Sequence, residues 1–219
     1  MPIWYEKTVE YLFVAQAMRD NEDCFLGPLS GKTEGQGDLQ FLSDTRYGLV
    51  EFKKTLDITS EYKNFNGDQA GYDRAKKDPT ISKHTEKPFH WLVAAEAATE
   101  ITIPSDVATF IEDKIKDTVK TKPIFQLVAA PYFYIENSQK DSVTYTVLSS
   151  GVELEEFNKY VKEFLKYRKN RGPDDGDDSQ WTNSLVLAIG PNGQHMAIPV
   201  GQWVTSHNLK LKQRNQPSP

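Results

Sequence analysis

Glu51-Phe52-Lys53 puts a carboxylate and an ammonium two residues apart on an apolar stretch, a pairing able to do electrostatic chemistry. In a β-strand, residues i and i+2 share a face, so Glu51 and Lys53 stand side by side while Phe52 turns away. Upstream, Gly37-Asp38 opens a second apolar run, Leu39 to Leu42, and Ser43-Asp44-Thr45-Arg46 separates it from Tyr47 to Phe52. A turn of even length there pairs residue 42 with 47, 40 with 49 and 38 with 51. Asp38 and Glu51 become cross-strand partners with Cβ atoms about 4.5–5.5 Å apart. Two carboxylates so close repel unless a positive charge sits between them. Magnesium, a hard cation commonly held by one or two carboxylates plus waters, fits. Such an ion draws charge from a phosphate and lowers the pKa of a bound water. Lys53 can orient that water or stabilise developing charge.

A third carboxylate is expected from the first helix, where Glu10 and Glu6 are the candidates. Glu10 shares a stripe with Phe13 and Ala17 and is preferred. That helix is expected over residues 5–20, with Val9, Leu12, Phe13, Gln16 and Ala17 at helical spacing. A short strand and an irregular loop follow, punctuated by Gly27, Pro28, Gly31, Gly35 and Gly37, then the two strands of the hairpin. Asn66 to Lys77 reads as a polar loop with a short helix. The pattern predicts helices over Pro88–Glu100, over 105–119 behind an N-cap at Ser105, and over Glu153–Tyr167. Strands are expected at Ile124–Ile135 and Val143–Leu148. Leu185–Ile189 and His195–Pro199 flank a Gly-Pro-Asn-Gly hairpin signal. This mixed order implies an α/β (α+β) domain with a central mixed sheet flanked by helices. The domain is expected to span 1–206, with a core at about 5–135 and an extension at about 136–206, followed by a flexible tail, 207–219.

The chain of 219 residues is 38% hydrophobic and 26% charged, an ordinary globular balance. No apolar run nears the roughly 20 residues needed to span a bilayer. The N-terminus lacks a secretory pattern, so a cytoplasmic protein is expected. One cysteine, Cys24, excludes an internal disulfide and a multi-thiolate zinc site. The net charge of −5 argues against a protein that simply coats DNA, but it leaves room for a local basic patch.

The helix carrying Glu10, then Gly37-Asp38-Leu39-Gln40-Phe41-Leu42, then Leu49-Val50-Glu51-Phe52-Lys53, resembles the PD-(D/E)XK nuclease superfamily, most closely its Mrr-like and Holliday-resolvase-like branches. The resemblance covers roughly residues 5–54. It implies a restriction-endonuclease-like core, with Asp38, Glu51 and the backbone carbonyl of Phe52 as metal ligands. It also implies Lys53 as the catalytic lysine and Glu10 as an auxiliary acid and ligand. The implied activity is hydrolysis of DNA phosphodiesters by an endonuclease dependent on Mg²⁺, with Mn²⁺ able to substitute. DNA is the implied partner, with no membrane and a homodimer allowed. The alternative is a nuclease-fold binding module that does not cut: an inhibitor, immunity or DNA-recognition protein. No proline precedes Asp38, and Gln69-Ala70-Gly71-Tyr72 imitates the family's later glutamine–tyrosine signature one residue short.

Other signals are weaker. Glu61-Tyr62-Lys63 and Glu112-Asp113-Lys114 also match the Glu-x-Lys triplet, but neither follows a Gly-Asp strand. Glu34 reads as a solvated loop residue. Lys159, Lys162, Lys166, Arg168, Lys169 and Arg171 could grip phosphates, though a solvated helix face is the simpler reading. Asp174, Asp175, Asp177 and Asp178 lack calcium-loop spacing. The four histidines, His84, His90, His195 and His207, lack metal-motif spacing and receive no role. Tyr132, Phe133 and Tyr134 read as core packing.

Overall fold

The computed structural model describes residues 5–20, 24–28, 37–43, 46–97, 125–169, 185–189 and 195–199. The expected helix over 105–119, the loop over 170–180, the tail from 207, Glu34 and the centre of the 43–46 turn lie outside these residues. Helix α1 (Glu6–Asp20) leads into strands β1 (Cys24–Pro28), β2 (Leu39–Ser43) and β3 (Arg46–Phe52). Three short helices follow: α2 (Thr59–Tyr62), α3 (Asp68–Lys77) and α4 (Pro79–Ser82). Next come β4 (His90–Ala97), β5 (Phe125–Pro131), a 3₁₀ turn (Ile135–Asn137), α5 (Val143–Leu148), α6 (Leu154–Leu165), β6 (Leu185–Ile189) and β7 (His195–Pro199). The strands form one seven-stranded sheet in the order β5-β4-β3-β2-β1-β6-β7. Only the β3–β4 pairing is parallel. Parallel neighbours require a crossover, and α2, α3 and α4 supply it. The chain is therefore an α/β (α+β) fold with a mixed sheet flanked by helices.

The two faces of the sheet carry separate cores. Val9, Phe13 and Ala17 of α1 cover one face, packing with Leu39, Phe41, Val50, Phe52, Trp91 and Val93. Phe13 meets the Phe52 ring edge-on, with centroids 5.6 Å apart. On the other face Leu42, Tyr47, Leu49 and Leu92 meet the crossover helices and Phe157, Tyr160 and Phe164 of α6. Alternation along β3 then decides the site. Phe52 and Val50 belong to the α1 face, so Glu51 and Lys53 belong to the face of α2 and α6.

Two elements differ from expectation. Pro88–Glu100 reads as a helix, but its centre is strand β4. Trp91, Leu92, Val93, Ala94 and Ala95 are all buried, as a central strand covered on both faces requires. The alanines mimic a helical stripe, and pairing with β3 and β5 overrides their propensity. Val143–Leu148 reads as a strand on its β-branched residues, but forms α5. Val143, Val147 and Leu148 share one helical face and pack into the α1-side core, while Tyr145 is exposed. Strand β5 also stops early, at Pro131, where Tyr132 and Phe133 enter a turn rather than extending it.

Candidate functional site

The site begins with the β2–β3 pairing. Its register, Leu39↔Val50 and Gln40↔Leu49, is the one an even-length turn predicts; the pairing ends at Leu39, and Asp38, just beyond it, bonds to Val50 and Phe52 on either side of Glu51. Gly37 makes this approach possible. Its φ of +151° suits glycine, and a Cβ there would press to 3.2 Å from the Val50 carbonyl oxygen. Asp38 N–H donates to that oxygen at 3.0 Å. The Asp38 carboxylate accepts the Phe52 N–H at 2.7 Å, which fixes it at the end of β3. Lys53 is fixed from the other side, since its N–H donates to the Val93 carbonyl of β4 at 2.9 Å.

The Lys53 side chain is only 13% exposed and wedged between acids. Its Nζ lies 2.7 Å from Glu51 Oε1 and 3.0 Å from Glu61 Oε1, with Glu6 Oε1 further out at 3.9 Å. Glu61, from α2, is itself saturated. Its Oε1 also accepts from Asn64 Nδ2 at 3.2 Å. Its Oε2 accepts from Arg168 Nη1 at 2.9 Å and Tyr132 Oη at 3.0 Å. Arg168 donates to the Tyr132 hydroxyl at 3.0 Å, closing a ring of three side chains. Behind them His90 stacks on Tyr132, with centroids 4.1 Å apart, and shares a 2.8 Å bond between its Nδ1 and the Tyr160 hydroxyl. Burial holds His90 neutral, with its pKa pushed down to about 3.

The electrostatics divide the buried Glu51 and Glu61 and the half-buried Asp38. Burial, reinforced by Glu61 and Asp38, pushes Glu51 up to about 8 despite its bond to Lys53. Burial also raises Asp38, although the Phe52 N–H and Lys53 oppose it. Burial would raise Glu61 too, but Lys53 and Arg168 outweigh it and hold it ionised. Lys53 stays charged because Glu51 and Glu61 overcome the cost of its burial. With all three ionised, Asp38, Glu51 and Glu61 outnumber Lys53 and Arg168 by one charge among the described residues, and Glu6 adds a further negative charge at the rim. A proton on Glu51 or a cation against Glu51 and Asp38 would offset that excess.

The donor set suits magnesium: hard carboxylate oxygens with a charge deficit centred on Glu51 and Asp38. Among the described residues no group of three or more histidine, cysteine or acidic side chains is placed to hold a metal ion. An ion here would rest on two carboxylates and water. No family model, curated protein or solved structure matches the chain. The site must be read from its own atoms.

Asp38, Glu51 and Lys53 come together. Glu10 does not join them directly: it ion-pairs with Lys7, one turn earlier on α1. Helix α1 covers the face of the sheet opposite to that carrying Glu51, so a residue mid-helix meets the sheet on that opposite side. Glu6, at the start of α1, reaches around the end of β3 toward Lys53. Tyr72 lies in the core, donating to the Tyr132 carbonyl at 3.0 Å, and Gln69 is exposed. Arg168 is neither a solvated charge nor an exposed phosphate contact, being buried against Glu61.

Glu61, Tyr132, Arg168 and His90 went unrecognised in the sequence. Two of them leave a trace there. Ile58, Glu61 and Phe65 fall at i, i+3 and i+7, and Phe157, Val161, Phe164 and Arg168 at roughly four-residue intervals. A charge that continues an apolar stripe is buried, and buried charges come paired.

Proposed function

We propose that the chain is a metal-dependent endonuclease of the PD-(D/E)XK type, hydrolysing DNA phosphodiesters. The observation that carries this reading is the β2–β3 register. It brings Asp38 to the end of β3, bonded to Val50 and Phe52 on either side of Glu51, where Lys53 lies 2.7 Å from Glu51. The mixed sheet and the helix preceding it agree with the resemblance carried by the Gly-Asp and Glu-x-Lys strands.

In this reading Asp38 and Glu51, with the Phe52 carbonyl, hold Mg²⁺, and Mn²⁺ substitutes. When bound, the ion supplies electrophilic charge at the phosphate and acidifies a water. Glu51 must give up its proton to serve as a ligand. The Asp38 carboxylate is oriented by the Phe52 N–H. Lys53 supplies a fixed ammonium to stabilise charge on the attacked phosphate. Glu6 borders the entrance, and Glu10, paired with Lys7, takes no part. The test is cleavage of supercoiled, linear, single-stranded and branched DNA by the purified protein, each with Mg²⁺ and with EDTA. Cleavage that needs Mg²⁺ and is lost in Asp38→Asn is expected. DNA binding without cleavage would favour the non-cutting module, and neither would remove DNA as the partner.

A further inference from the structure

The carboxylates of the cluster are not equivalent. Each oxygen of Glu61 accepts two bonds: Lys53 and Asn64 on Oε1, Tyr132 and Arg168 on Oε2. A carboxylate has about four acceptor sites, so Glu61 has none left for a metal ion. Among the described residues the Asp38 carboxylate accepts from the Phe52 N–H and the Glu51 carboxylate from Lys53. We infer that Glu61 is a positioning residue: clamped by Arg168 and Tyr132, it holds the Lys53 ammonium in place while Glu51 is engaged elsewhere. This rests on the nuclease reading for its purpose, though not for its geometry.

The need for such a residue follows from the lysine itself. Its four-carbon stem has large rotamer freedom, which a single bond to Glu51 opposes weakly. That bond also weakens as Glu51 shares its charge with a cation. Glu61 escapes this competition because two cations already hold it ionised. The clamp is anchored far along the chain. Arg168 pairs with Phe65 as an isolated β-bridge, Asn66 N–H donates to the Tyr167 carbonyl at 2.7 Å, and Lys169 N–H donates to the Asn64 carbonyl at 2.7 Å. The guanidinium lies over the Phe65 and Phe164 rings at 5.2 and 5.4 Å. The segment after α6 thereby locks α2, and α2 locks Lys53.

The experiment follows the Lys53 Nζ signal by ¹⁵N NMR in EDTA, assigned by its loss in Lys53→Met. Cleavage kinetics run in parallel. A held ammonium exchanges slowly with water and gives a sharp signal, so the wild type should show one. Glu61→Gln should broaden or abolish it at temperatures where circular dichroism shows the fold intact. The same variant should lower kcat by about 10–10²-fold, as loss of a supporting contact typically does, with KM for DNA and for Mg²⁺ little changed. Tyr132→Phe, which removes the hydroxyl's bonds to Glu61 and Arg168 and keeps the charges, should shift both readouts the same way by less. It carries the test if Glu61→Gln fails to fold. An unchanged Lys53 signal in the folded variants, or no signal in the wild type, overturns the inference. A wild type that never cleaves DNA overturns the nuclease reading instead, while the NMR comparison still decides whether Glu61 positions Lys53.

Discussion

Lys53 is at once the proposed catalytic ammonium and a structural counter-ion, so its removal should show in two ways. Lys53→Met leaves Glu51 and Glu61 facing each other across a buried space. Breaking a buried pair costs about 3–5 kcal/mol, and the lower end is expected because Glu51 can take up a proton. Cleavage should fall by about 10²–10³-fold, as for loss of one preorganised electrostatic stabiliser. Thermal melting and single-turnover kinetics on the same preparation check both. Glu51 gives a signed pH prediction. Its folded pKa is about 8 against an ordinary 4.5, so between these values the folded state keeps a proton that the unfolded state has released. Metal-free stability from this group is complete below pH 4.5 and is lost as pH rises toward 8. In EDTA, the melting temperature of Glu51→Gln should therefore gain on the wild type from pH 5 to pH 8. Mg²⁺ should raise the wild-type melting temperature at pH 8 and leave that of Glu51→Gln unchanged. A parallel pH dependence of the two proteins would show that Glu51 titrates normally.

At the scale of elements, the site depends on what meets at the end of β3. Gly37→Ala combines an unfavourable φ with a Cβ 3.2 Å from the Val50 carbonyl. It should displace Asp38 and weaken Mg²⁺ binding more than it lowers the melting temperature, which calorimetry with Mg²⁺ and thermal melting can compare. Helix α1 separates two acids one turn apart. Glu6→Gln should slow cleavage and Glu10→Gln should not, since Glu6 lies 3.9 Å from Lys53 while Glu10 is engaged by Lys7. The opposite result would restore Glu10 to the site. The sequence could be read well here where local rules suffice. The β2–β3 register follows from an even turn and alternation, and α1 and α6 from their apolar stripes. It misleads where tertiary contacts decide. Strand β4 is alanine-rich and gains its conformation from two neighbours, and α5 is β-branched and gains its own from the α1-side core. The Glu61–Arg168 clamp joins residues 107 apart, a separation that no local pattern encodes. Only their places on apolar stripes hint that both are buried.

Across the whole molecule, the net charge of −5 makes long-range attraction to DNA weak. On the proposed nuclease reading, binding relies on local contacts at the site and on cation-dependent recognition of the phosphate. Among the described residues no helix is long and apolar enough to cross a membrane. The two cores lie on opposite faces of the sheet, and the cluster of charged side chains lies at the end of β3 on the α2–α6 face. The fold thus presents one edge where a carboxylate pair, a fixed ammonium and a charge deficit coincide, and the account stands on that coincidence. The most direct test is cleavage of supercoiled plasmid by wild type, Asp38→Asn and Lys53→Met, each with Mg²⁺ and with EDTA. The account predicts nicking or linearisation by the wild type with Mg²⁺ alone, and intact plasmid in the other five reactions over the same time. Cleavage by the wild type in EDTA, undiminished cleavage by either variant, or no cleavage by the wild type with Mg²⁺ would contradict it.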